Sequence, residues 1–124
     1  MRETTYEAYR ATVVLMALLE TLHTNCRALA KMGRLTHVMQ DLAKRFSKLH
    51  SRAERLHKEA TDLHYGEVDE DTGHVIGYNG HPQVPKVVLR AARKMNREAR
   101  VVARFYDIPT KEMTASDILS YGME

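Results

Sequence analysis

Five leucines recur at seven-residue intervals: Leu35, Leu42, Leu49, Leu56 and Leu63. Four residues after each of the first four stands another apolar group, Met39, Phe46, Ala53 and Ala60. Alternating steps of four and three hold one stripe of an α-helix apolar along its length, because about 3.6 residues make a turn. A chain carrying such a seam has to bury it against other helices, its own or those of another molecule. The seam therefore predicts a mainly α fold, a long helical hairpin or coiled-coil-like pair of helices. It marks Leu35, Leu42, Leu49, Leu56, Leu63, Phe46, Ala53 and Ala60 as interface residues. Ala53 and Ala60 predict close helix approach where they fall.

The segment before the seam repeats the pattern at Leu15, Leu19, Leu22, Cys26 and Leu29. Thr4-Thr5-Tyr6-Glu7 has capping-box spacing, which places the start of a first helix at residue 4 and its end near 32. Lys31 followed by Gly33 reads as a C-terminus, a cation in the last turn and then a residue that tolerates positive φ. The seam also breaks phase here, stepping from Leu29 to Met32 to Leu35. A single rod over 4–64 and an antiparallel hairpin turning near Gly33 both accommodate the spacing. The hairpin is preferred, because Gly inside a helix costs ~1 kcal/mol and the phase break coincides with it. The heptad helix is then expected over 34–64.

Residues 67–80 change character. Val68, Val75, Ile76 and Tyr78 flank the turn-forming Asp71-Thr72-Gly73, which predicts a small β-hairpin excursion. Pro85 then precedes a third helix, expected over 86–106, with Val88, Ala92, Met95, Ala99, Val102 and Tyr106 on one stripe. A short C-terminal helix is expected over 114–121. All of this fits one helical domain over 1–124, since a chain of 124 residues is long enough for a single core.

Composition narrows the function classes. With 44% hydrophobic and 28% charged residues the chain is of the globular kind, and with no Trp and two Phe its core must be mainly aliphatic. The longest apolar run, Val13 to Leu19, is far short of the ~20 residues of a membrane span. No signal-peptide pattern is visible, so a cytoplasmic place, or one inside a macromolecular particle such as a virion, is expected. The single cysteine, Cys26, cannot form an intrachain disulfide and falls on an apolar stripe.

Few constellations suggest chemistry. Glu20-Thr-Leu-His23 and Glu54-Arg-Leu-His57 share the Glu-x-x-His spacing that serves metals in four-helix bundles. Both pairs flank their seams without occupying them, and a hairpin puts them at different heights. A carboxylate–histidine metalloenzyme is thus the weakest reading, and no metal or cofactor is expected. His50, His57 and His64 recur at seven, ~10.5 Å apart along the axis, too far to share one ion. No nucleophile elbow, phosphate loop or dinucleotide fingerprint occurs, and the chain reads as non-catalytic.

The sharpest functional signal is charge. Residues 86–106 carry seven Lys or Arg against Glu98 alone. By the helical step, Arg90, Arg93, Lys94, Arg97, Arg100 and Arg104 lie opposite the apolar stripe. Such a face can follow phosphates or meet an acidic partner, the chain's own acidic segment 67–71 included. The leading expectation is a structural or assembly subunit that self-associates as a homo-oligomer or docks into a larger complex, one containing nucleic acid included. The alternative is a regulator that binds DNA or RNA through the arginine face.

Overall fold

A computed structural model describes residues 2–65, 67–68, 75–76 and 83–113, with side chains over 5–64 and 85–113. Three helices make up the fold: α1 (Arg2–Lys31), α2 (Thr36–Tyr65) and α3 (Gln83–Phe105). The chain reverses between α1 and α2. Gly33 takes φ 80°, the Arg34 N–H donates to Leu29 O at 3.1 Å, and the Gly33 N–H donates to Ala30 O at 3.1 Å. This pairing satisfies carbonyls that a helix end would otherwise leave unbonded. The same device closes α3. Asp107 takes φ 57°, the Ile108 N–H donates to Ala103 O at 2.7 Å, and the Asp107 N–H donates to Arg104 O at 3.3 Å. Arg34 from the first cap and Asp107 from the second lie 3.3 Å apart, so both caps sit at one end of the bundle.

α2 runs back along α1, and α3 lies parallel to α1. Arg93 lies 3.9 Å from Glu7 near the start of α1, while Asn25 near its end reaches Pro109 and Lys111. The contacts advance together along both helices, as parallel packing requires. On α1 the buried seam is Thr5, Ala8, Thr12, Leu15, Leu19, Leu22, Cys26 and Leu29, in unbroken steps of three and four. On α2 the fully covered positions are Met39, Phe46, Ala53 and Ala60. α3 contributes Val88, Leu89, Ala92, Ala99 and Ala103, and Ile108 follows its cap. One large cluster fills the cap end and middle of the bundle. A smaller one, Ala8, Ala60, Val88 and Leu89 with Leu56 and Leu63 against it, closes the other end.

Several expectations need correction. The β-hairpin excursion over 67–80 is not a feature of this fold, whose architecture is helical. The extended backbone among the described residues amounts to Glu67–Val68 and Val75–Ile76, paired Glu67↔Ile76 and Val68↔Val75. Two residues a side build no sheet layer, since stable sheets need longer strands and more of them. Residues 69–74 and 77–80 of that segment, and the helix expected over 114–121, lie outside the described residues. The Thr4 capping box does not start α1, which already runs from Arg2. Leu35 does not belong to a helix: it takes φ 45° in the turn and is 54% exposed. The two-residue cap at Gly33 and Arg34 carries the turn as far as Leu35, which drops out of the seam.

Candidate functional site

The candidate site is the outer face of α3. Pro85 is buried at its first turn, where a missing N–H is harmless. From there the step of 100° per residue separates two faces. Val88, Ala92, Ala99 and Ala103 turn inward, with Met95 and Val102 half-buried beside them. Lys86, Arg90, Arg93, Lys94, Arg97, Arg100 and Arg104 are all exposed. Those seven fall within an arc of roughly 120° and span ~27 Å of helix axis. Small inward residues let α3 sit close to its neighbours, while long cationic side chains stand away on the other side.

Among the described residues these cations have few protein partners. Arg93 meets Glu7 at 3.9 Å, with both side chains more than half exposed. The Arg100 Nε donates to Asn96 Oδ1 at 2.9 Å. An exposed pair at such a distance contributes ~0–1 kcal/mol and is easily exchanged for an external anion. The acidic segment considered as an internal partner includes Asp69, Glu70 and Asp71, outside the described residues. Three exposed apolar groups share this side of the helix, Val101 (67%) within the cationic arc and Val87 (60%) and Phe105 (79%) at its edge.

The seam residues are placed differently from one another. Phe46, Ala53 and Ala60 are fully covered, and Leu42 is buried. Leu49, Leu56 and Leu63 are half-buried at the flank of α2, where Leu56 and Leu63 join the cluster of Val88 and Leu89 from α3. Within one chain the centre of the seam is covered, and Leu56 and Leu63 on its flank join α3 residues in the smaller cluster.

The histidine series occupies the other flank of α2. His57 Nδ1 lies 3.1 Å from Thr12 Oγ1, and His64 Nδ1 lies 3.3 Å from Thr5 Oγ1. The Tyr9 ring lies against both imidazoles, at 5.3 and 5.7 Å between centroids. The Thr12 hydroxyl donates to Tyr9 O at 2.7 Å, so His57 must donate to it. A fully buried threonine whose proton is already placed is a helix-to-helix latch and not a nucleophile with its base. His23, from the first Glu-x-x-His, donates from Nδ1 to Ala43 O at 2.9 Å across the hairpin. His50 pairs with Glu54 at 2.8 Å on its own helix. Among the described residues no three His, Cys, Asp or Glu side chains converge as a metal site. No helix among them is long and apolar enough to cross a membrane.

Thr5, Thr12 and Asn25 are buried polar groups that counting apolar residues misses. Thr5 and Thr12 follow from extending the three-and-four spacing of α1 backward from Leu15. Asn25 carries no such signal. It donates to Pro109 O at 2.8 Å and Lys111 O at 2.9 Å, tying the segment after α3 to α1. Burial pushes the Cys26 thiol up to about 12, which makes it an inert core group. Compared with family models, curated proteins and solved structures, the chain matches none.

Proposed function

We propose that the chain is a non-catalytic helical assembly subunit that holds DNA or RNA by its phosphates through the outer face of α3. One observation carries this reading: seven exposed cations on one narrow arc of a helix whose sole acid is Glu98. Arginine forks match phosphate oxygens two at a time, and binding through them is strong at low salt and little dependent on sequence. The face is convex and rod-like, suited to lying along a backbone. Phe105, at the edge of the arc, is the one aromatic side chain on α3, so base stacking along the face is no part of the proposal.

The test is a salt series of binding to duplex DNA and to RNA, comparing the parent with Arg93→Gln/Arg97→Gln/Arg100→Gln. Affinity should fall about equally for unrelated sequences. The slope of log affinity against log salt should drop by ~0.9 for each duplex phosphate that is no longer neutralised. Equal affinities and slopes for the two proteins would refute it.

Self-association is a second reading, and it does not rest on the leucine seam, whose central residues are buried within one chain. It draws on Val101 and Phe105, exposed one turn apart beside the cations. Light scattering of the parent and of Val101→Ser/Phe105→Ser checks it: a dimer or larger species that the double variant loses is the expected result.

A further inference from the structure

Two like-charged pairs spaced four residues apart, Arg27 with Lys31 and Lys44 with Lys48, lie on either side of the turn at Gly33. Like charges at that spacing weaken a helix by ~0.2–0.5 kcal/mol a pair. The C-terminal end of α1 offsets this for Arg27 and Lys31, because its carbonyls favour cations. Lys44 and Lys48 lie in the N-terminal half of α2 and gain nothing from its dipole. The antiparallel hairpin sets the two pairs on opposite walls of a groove of about 810 Å³ between α1 and α2, with Arg27 roughly level with Lys44 and with Lys31 and Lys48 towards its two ends.

The composition of that groove is one-sided. All four cations line it, together with His23, and no Asp or Glu does. Among the described residues none of the four makes an ion pair, whereas Arg34 and Arg93 do. Ala30 and Ala43 line it among the cations, and their small side chains leave it room. His23 is held by its bond to Ala43 O. No α3 residue lines the groove. His23 also lies ~160° around α1 from Asn25, which faces the segment after α3. The groove and the arginine face are therefore separate surfaces.

We propose that this groove binds a short oligophosphate chain, about three linked phosphate groups centred between Arg27 of one wall and Lys44 of the other, with Lys31 and Lys48 reaching in from the two ends. Four cations strung along one groove, none in an ion pair among the described residues, call for several linked negative charges, more than one carboxylate or sulfate carries. A concave site between two helices admits a small ligand, in contrast to the convex face of α3. Free polyphosphate and the phosphate tail of a nucleotide share this chemistry.

Calorimetric titration of the full chain at low salt tests the site, with inorganic tripolyphosphate, ATP and sulfate as probes at matched ionic strength. Tripolyphosphate should bind at one saturable site. Lys44→Gln/Lys48→Gln, at exposed helix positions, should weaken it about tenfold or more. Ala30→Leu should also weaken it, by taking up space in the groove with every charge kept. Arg93→Gln/Arg97→Gln/Arg100→Gln should leave it unchanged. ATP binding more tightly than tripolyphosphate identifies a nucleotide as the natural source, and equal or weaker binding identifies the free chain. The proposal is overturned if tripolyphosphate fails to saturate, if sulfate binds as well, if the lysine variant with parental helix content binds like the parent, or if the α3 variant loses as much.

Discussion

Phe46→Ala and Leu35→Ala together ask which members of the heptad pattern are core. Both residues belong to the same heptad pattern, yet Phe46 is 2% exposed and Leu35 is 54% exposed in a turn. Truncating a fully buried Phe removes its transfer free energy and leaves a cavity, a loss of ~3–5 kcal/mol. Phe46 belongs to the large cluster shared by Leu, Met and Ala side chains of the three helices, so its removal opens a void in the main core. For a chain of this size each kcal/mol lowers Tm by ~3–5 °C, and the expected drop is roughly 10–25 °C. Leu35 loses little when shortened: half its surface is already in water, and the left-handed backbone strain is the same for Ala. Its change should stay within ~0.5 kcal/mol. Urea unfolding followed by circular dichroism gives both values, with an unchanged m-value showing that the denatured state is not at issue. Comparable losses for the two variants would refute the assignment and restore Leu35 to a packed seam.

Two further predictions concern buried groups. Cys26 should resist thiol reagents in the native protein and react only on unfolding; because its thiol stays protonated to about 12 when folded, the parent should lose more stability between pH 9 and 12 than Cys26→Ala, with the two alike below that window, as the unfolded thiol ionises first. Asn25→Ala should cost ~1–3 kcal/mol by leaving the Pro109 and Lys111 carbonyls without their donor, and amide exchange should quicken in residues 106–111 before it does in α2.

The sequence made the existence of the helices plain, because their apolar steps are long and regular. It was less able to choose between stripes. A period of seven fits two neighbouring lines on α2, Leu42-Leu49-Leu56-Leu63 and Met39-Phe46-Ala53-Ala60, and residue size favours the leucines. Packing decides otherwise, since α1 needs close approach at Ala53 and Ala60 while α3 takes the leucine flank. The turn was legible at Gly33, but its cap extends through Arg34 and expels Leu35, which no periodicity shows. Asp107 in the left-handed region and the reach of Asn25 to Pro109 depend on where α3 ends relative to α1, a tertiary fact. The arginine face needed only the helical step, so its placement on the outside of α3 was readable in advance. The cationic groove was half visible: both like-charged pairs stand in the sequence, and only the antiparallel turn brings them together.

The contrast between α2 and α3 supports an external partner for the latter. α2 carries six Lys or Arg interleaved with Asp41, Glu54, Glu59 and Asp62. Mixed signs of this kind keep a helix hydrated at little electrostatic cost. α3 carries seven cations with Glu98 alone, although the same solvent faces it. Packing does not call for this excess, since the inward side of α3 is complete with Val88, Leu89, Ala92, Ala99 and Ala103. Nor does the interior need charge, as no buried side-chain nitrogen or oxygen among the described residues lacks a hydrogen-bond partner. Mutual repulsion on one face of α3 opposes folding at low salt, and neutral glutamines would relieve it. If the arginine triple variant is as stable as the parent or more so at low salt, while its affinity for nucleic acid falls, then the cations serve the partner and not the fold. A loss of stability with no change in binding would assign them to internal pairing instead.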